Sequence, residues 1–158
     1  MNSGDGPAYD PQPKQLTQAK DLVRNQSSAI YDTSGLGEAS SGAPDAAPCD
    51  GVEHGFRVRH FWSMYSPSAD RLKQAMDRLR KELPAKGWKV VRFATADSEA
   101  KQLQLAVEHE KEHHTATIEL LLPSTYEKPS KWQKQSRDRL SVALTSPCYT
   151  DPEYKIGD

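Results

Sequence analysis

The alternation of hydrophobic and polar residues after residue 50 predicts five β-strands. In FRVRHFWSMYS, residues 56–66, Phe56, Val58 and Trp62 fall on one face and two arginines on the other. Successive side chains of a strand point to opposite faces of its sheet, so this pattern is typical of a half-buried strand. The same alternation recurs in residues 88–96, 101–109, 115–123 and 138–148. We therefore expect an antiparallel sheet of four or five strands with one side covered.

A stripe of hydrophobic residues at helical spacing lies between the first two of these strands. In residues 69–86 this stripe includes Leu72 and Leu79, and the opposite face carries lysine, arginine and aspartate. Ser68 is a favourable N-cap, and Gly87 is a typical stop signal. We expect this amphipathic helix to cover the apolar face of the sheet, which gives an α+β fold.

The remaining segments define the organisation of the chain. Residues 1–13 hold proline and glycine with almost nothing to bury, which predicts a disordered tail. Residues 14–32 show largely helical spacing and predict an N-terminal helix. Residues 33–48 are small, polar and interrupted by proline, as in a flexible linker. The α+β domain is then residues 49–150, and residues 151–158 form a C-terminal tail.

Composition narrows the classes of function. A chain of 158 residues has room for one domain with tails, and 35% hydrophobic residues are too few for every segment to be packed. A formal net charge of −1 gives no overall field for nucleic acid, which we do not expect as a partner. No apolar run approaches the roughly 20 residues that span a bilayer. The first residues do not resemble a signal peptide, so either the chain is cytosolic or a targeting segment is absent from it.

The two cysteines, Cys49 and Cys148, stand in proline-rich surroundings before the first predicted strand and after the last. Their separation excludes a CxxC redox motif and a four-ligand zinc knuckle. One interpretation is two buried free thiols in a cytosolic protein. Because neither cysteine lies on an apolar face, we favour a structural disulfide, which requires an oxidising compartment.

Three short motifs resemble a family of exported actinobacterial lipoproteins: APCDG at 47–51, LPAKGWKV at 83–90 and LTSPCY at 144–149. The resemblance covers about residues 14–150. It implies a secreted or cell-surface domain in which Cys49 and Cys148 are bridged. It also implies attachment to a membrane only through a lipid anchor that this chain does not contain. It implies no activity.

The segment EHEKEHH, residues 108–114, is the one candidate metal site in the sequence. His109, His113 and His114 offer imidazole ligands, which would suit a metal-dependent hydrolase. The flanking residues alternate as strands, so we favour a solvated hairpin turn and predict neither a metal nor another cofactor. His60, on the apolar face of its strand, is interpreted as a hydrogen-bonded residue and not as a catalyst.

The segment between the last two predicted strands, residues 123–139, is unusually long and mixes basic and aromatic residues. Such a mixture can hold an anionic polymer through charge and cation–π contacts. The alternative is a solvated connection in which the tryptophan caps the edge of the core. The candidate partner-binding residues are Tyr126, Lys128, Lys131, Trp132 and Lys134.

These observations predict an extracytoplasmic, surface-tethered binding or interaction module without catalytic activity. Its expected partner is an envelope protein or an anionic polymer. Neither the GxSxG motif of serine hydrolases nor a phosphate-binding glycine pattern occurs in the sequence. The metal-dependent hydrolase built on residues 109–114 remains the alternative.

Overall fold

A computed structural model describes residues 9–98 and 101–157. These residues form the predicted α+β fold, with a mixed nine-stranded sheet and three α-helices. In chain order, strands β1 to β9 are Gln12–Pro13, Glu38–Ala39, Asp45–Pro48, Gly55–Tyr65, Trp88–Thr95, Leu103–His109, Thr115–Leu121, Arg139–Thr145 and Tyr149–Thr150. Helices α1 to α3 are Leu16–Ser34, Ala69–Glu82 and Lys131–Gln135.

The strands follow the order β1-β9-β4-β8-β7-β6-β5, and β2 and β3 both pair with β4. The five long strands are those predicted from the alternation, and they pair antiparallel. The predicted count of four or five strands is too low because four short strands extend the sheet. One of these, β1, pairs parallel with β9. Strands of two to four residues are too short to show an alternating pattern.

Helix α2 supplies the predicted cover of the sheet. The Ser68 hydroxyl accepts a hydrogen bond from the backbone N–H of Arg71 (3.2 Å), which caps the helix as expected. Leu72 and Leu79 are fully buried, and α2 packs against β7 and β8. Leu79 therefore belongs to one hydrophobic core with the central residues of the sheet.

Helix α1 packs in the same layer as α2 and lies against β4. Its apolar stripe, Ala19, Val23 and Ile30, is fully buried. The Gln15 side chain makes no capping bond, and the backbone N–H of Leu16 donates instead to Asp151 Oδ2 (3.1 Å). The start of α1 is thus held by a residue from the far end of the domain.

Segments predicted as tails and linker contribute to the sheet and core where the structure describes them. Residues 1–8 of the predicted disordered tail lie outside the described residues, and residues 12–13 form β1. Residues 33–48, predicted as a flexible linker, carry β2 and β3. In the C-terminal segment the ring of Tyr154 packs on Phe56, with centroids 5.2 Å apart.

Candidate functional site

The loop singled out by its sequence, residues 123–139, folds into two short helical turns. A 3-10 turn at Pro123–Thr125 follows β7, and α3 lies further along the loop. The Ser130 hydroxyl accepts from the backbone N–H of Gln133 (3.2 Å), and the Gln133 side chain accepts from the backbone N–H of Ser130 (2.7 Å). This capping box satisfies two N–H groups of a helix that is too short to be stable alone.

Side-chain contacts fix both ends of this loop. The backbone N–H of Ser124 donates to Asp138 Oδ1 (3.0 Å). The Arg137 guanidinium donates two hydrogen bonds to the Glu38 carboxylate (2.6 and 2.8 Å) and lies 4.2 Å from the centroid of the Tyr65 ring. The hydrogen bonds from Arg137 hold the pKa of Glu38 below its usual value. These contacts therefore hold the loop in a defined conformation.

Loop 123–139 exposes one aromatic ring and the side chains of three lysines. Trp132 lies on α3 with 79% of its surface exposed, so it does not cap the core edge. Lys128, Lys131 and Lys134 are exposed and form no ion pair with any residue of the described ranges. Four of the five candidate residues are thus exposed to solvent on this loop.

Tyr126 is placed differently from these four residues. It is half-buried and lines a surface groove of about 390 Å³ together with Gln133 and Arg139. The Arg139 guanidinium donates to the carbonyl oxygen of Arg137 (3.0 Å). The charge of Arg137 is thus paired with Glu38, whereas Arg139 bonds a neutral oxygen and its positive charge adds to that of the three lysines.

The histidine segment forms the turn between β6 and β7. His109 Nδ1 accepts from the backbone N–H of Glu112 (3.1 Å), and the His109 ring meets Trp88 edge-on, with centroids 5.1 Å apart. His114 is fully buried, and neither of its ring nitrogens has a hydrogen-bond partner among the described residues. Burial lowers the pKa of His114 to about 4. It is therefore a neutral core residue at physiological pH.

The His113 side chain contacts the N-terminal segment of the chain. Its ring stacks on Tyr9, with centroids 3.8 Å apart, and the Tyr9 hydroxyl donates to Glu108 Oε2 (2.6 Å). This hydrogen bond raises the pKa of Tyr9. In the part of the chain that the structure describes, no three His, Cys, Asp or Glu residues are arranged to hold a metal ion. The structure thus places His109, His113 and His114 in three different surroundings.

Cys49 and Cys148 lie at disulfide distance, as predicted, and the structure joins them with their Cα atoms 6.3 Å apart. Cys49 follows β3, and Cys148 lies between β8 and β9. Since β3, β8 and β9 all pair with β4, the sheet itself brings the two cysteines together.

A second site, which the sequence did not reveal, lies between α1 and β4. Ser27, His60 and Trp62 line a pocket of about 250 Å³ there. Ser27 Oγ is 2.7 Å from His60 Nδ1, and His60 Nε2 is 3.0 Å from the carbonyl oxygen of Gly42. In the sequence, this pocket is indicated by one polar residue on each of two apolar faces: Ser27 on the helix and His60 on the strand.

Comparisons with known proteins add no assignment to these sites. No family model matches the chain, and no curated protein or solved structure matches it significantly. Within residues 9–98 and 101–157, the helices are all too short or too polar to cross a bilayer.

Proposed function

We propose that this protein is an extracytoplasmic, surface-tethered binding module that recognises an anionic polymer through its loop 123–139, without catalysing a reaction. The observation that carries the proposal is the exposure of Trp132 on a fixed loop, flanked by lysines that have no acidic partner among the described residues. The Cys49–Cys148 pair supports the location because disulfides persist in oxidising compartments.

The cost of exposing Trp132 is the main argument for a binding role. A large aromatic side chain that stays in water forgoes the stabilisation of burial, about 1.5–3 kcal/mol for a large apolar side chain. Trp132 has no buried neighbour on its own helix. Aromatic residues are enriched where proteins contact their partners, since they supply a large contact area with few rotatable bonds.

The charge of the loop selects the class of partner. Lys128, Lys131 and Lys134 are spaced along one exposed segment on a protein whose formal net charge is −1. Several exposed cations along one loop suit the repeated charges of an extended polyanion better than a single small anion. Their attraction is screened within a Debye length of about 8 Å at physiological ionic strength, so binding should weaken as salt is raised.

The test replaces the three lysines of the loop with glutamine and measures binding to heparin and to polyglutamate by titration calorimetry, with neutral dextran as the control ligand. We expect the triple variant to bind about tenfold more weakly, because each exposed charge contact contributes a few tenths to about 1 kcal/mol. The matched control carries the same charge change at Lys73, Lys89 and Lys111, which are exposed elsewhere. Equal loss of binding in both triple variants would show a general charge effect and contradict the proposal.

Trp132 provides an independent readout of the same site. The other two tryptophans, Trp62 and Trp88, are buried, so iodide should quench mainly the fluorescence of Trp132. We expect a bound polyanion to protect this fluorescence, and Trp132→Ala to weaken binding without lowering the melting temperature. If iodide still quenches the fluorescence of Trp132 fully at saturating polyanion, the protein does not use this loop for binding.

A further inference from the structure

The groove of about 390 Å³ at loop 123–139 lies on the face of the sheet opposite α1 and α2. Leu121 pairs with Arg139 across β7 and β8, and both residues line the groove. Their neighbours Leu120 and Leu140 point into the core, so Leu121 and Arg139 point to the other face. One wall of the groove is therefore the sheet, and the other wall is the loop that carries the proposed binding residues.

The lining of this groove combines apolar surface with hydrogen-bonding groups. Leu121, Pro123 and Tyr126 supply the apolar part, and polar side chains complete the lining. Ligand pockets commonly have such a lining and a volume of about 300–1,000 Å³. Among the described residues that line the groove, Arg139 is the one charged group. The groove is thus suited to an uncharged body that carries one negative group.

Two side chains of the lining have hydrogens left to donate. Gln133 uses its side-chain oxygen to accept from the backbone N–H of Ser130, so its Nε2 amide hydrogens remain. Arg139 donates from Nη1 to the carbonyl oxygen of Arg137 (3.0 Å). Its Nε and Nη2 hydrogens bond no other group in the part of the chain that the structure describes. The groove therefore offers an amide donor and a guanidinium to a ligand.

Two serines of the lining add acceptors to these donors. The Ser98 hydroxyl donates to Gln102 Oε1 (2.8 Å), and the Ser136 hydroxyl donates to the carbonyl oxygen of Trp132 (2.8 Å). Each serine oxygen keeps lone pairs with which to accept. A ligand hydroxyl can both donate and accept, whereas an ionised carboxylate or phosphate oxygen can only accept. The mixture of donors and acceptors therefore favours a hydroxyl-rich ligand.

We propose that the polymer bound by loop 123–139 is an acidic polysaccharide and that the groove holds one of its uronic acid units. The carboxylate lies on the Arg139 guanidinium, and the sugar hydroxyls bond Gln133, Ser98 and Ser136. The C–H face of the sugar packs on the ring of Tyr126. This inference rests on the proposed function, since it names the chemistry of the polymer that the same loop binds.

The test compares polygalacturonate with polyglutamate of equal charge number by titration calorimetry. Both polymers carry one carboxylate per unit, but only polygalacturonate has hydroxyls for the groove. We expect polygalacturonate to bind about tenfold more tightly, the combined effect of a few hydrogen bonds. Equal affinities would overturn the polysaccharide inference and leave the proposed function standing. No binding of either polymer would contradict both.

Arg139→Gln tests the place of the carboxylate. We expect this variant to bind polygalacturonate about tenfold more weakly, because a charge-assisted hydrogen bond is lost. Polyglutamate should lose no more than about threefold, the size of an exposed charge contact. Arg57→Gln, at a half-buried arginine of β4, is the matched control and should change neither affinity. Equal losses for the two polymers would contradict a carboxylate held in the groove.

Filling the groove tests the place of the sugar. Ser98 is exposed at the groove, so Ser98→Phe should remove the preference for polygalacturonate, whereas Ser41→Phe at an exposed serine elsewhere should retain it. Melting temperatures show whether both variants fold. In the ¹⁵N-labelled wild type, the side-chain amide signal of Gln133 should shift saturably with trigalacturonate. A constant Gln133 signal, or a preference that survives Ser98→Phe, would overturn the proposal.

Discussion

Gly87 lies directly against the imidazole of His109, so that a β-carbon at position 87 would be 2.8 Å from His109 Nε2. Gly87 ends the 3-10 turn Leu83–Lys86 with φ of 93°, a conformation that other residues rarely adopt. Its carbonyl also accepts from the backbone N–H of Glu110 (2.9 Å). The Gly-Trp motif therefore joins the end of α2 to the turn between β6 and β7.

Gly87→Ala should destabilise the protein by about 1–3 kcal/mol, because the left-handed conformation and the displaced imidazole both oppose a β-carbon. Chemical denaturation measures the change. Gly37→Ala is the matched control, since Gly37 has open space around it and no positive φ. A Gly87→Ala protein as stable as the control would show that the two segments do not pack as described.

Loss of the disulfide should lower stability strongly. The bridge closes a loop of 99 residues, and a loop of that length contributes on the order of 4.7 kcal/mol in the chain-entropy account. Cys49→Ala, Cys148→Ala and the double variant should lower the melting temperature by similar amounts, because each removes the same bond. If both thiols of the native protein react with a labelling reagent, the two cysteines are not bridged. The argument for an oxidising compartment then no longer holds.

Leu79→Ala should cost about 2–5 kcal/mol of unfolding free energy, the range for a buried leucine that leaves a cavity. Leu79 is fully buried on α2, and so are Leu105 and Ile118 in the sheet. Lys73→Ala, on the exposed face of the same helix, should change stability by less than about 0.5 kcal/mol. Similar denaturation midpoints for the two variants would mean that α2 does not cover the sheet.

His114 should make the fold sensitive to acid. Its folded-state pKa of about 4 lies below the ordinary 6.5, so between these values the unfolded chain binds a proton that the folded protein does not. Stability should therefore fall as pH drops below about 6.5, with a loss of about 2 kcal/mol from this residue between about pH 7.5 and about pH 5. The other charged groups that act on this ring are His109 and Lys14.

His114→Leu should remove this part of the acid sensitivity, measured as the difference in unfolding free energy between the two pH values. His54→Gln, at an exposed histidine, should retain the acid response of the wild type. Parallel pH curves for the wild type and His114→Leu would contradict a buried neutral imidazole.

The sequence alone predicts those parts of the fold in which a local pattern reports burial of one face. Alternation located the five long strands, and a helical stripe ending at Gly87 located α2. The turn of residues 109–114 followed from the strands on either side. In each case the signal is contained within about ten to twenty neighbouring residues, because strand and helix periodicities are local properties of the backbone.

Only the tertiary structure decided the contacts between distant residues. Leu16 meets Asp151 across 135 positions, and Ser27 meets His60 across 33. Neither pair produces a periodic pattern in the sequence, since a hydrogen bond between distant residues requires only one suitable group at each end. The four short strands depend in the same way on a neighbour that is already in place. The sequence thus determined which faces are buried, while the packing of those faces against one another decided the pocket at Trp62 and the exposure of Trp132.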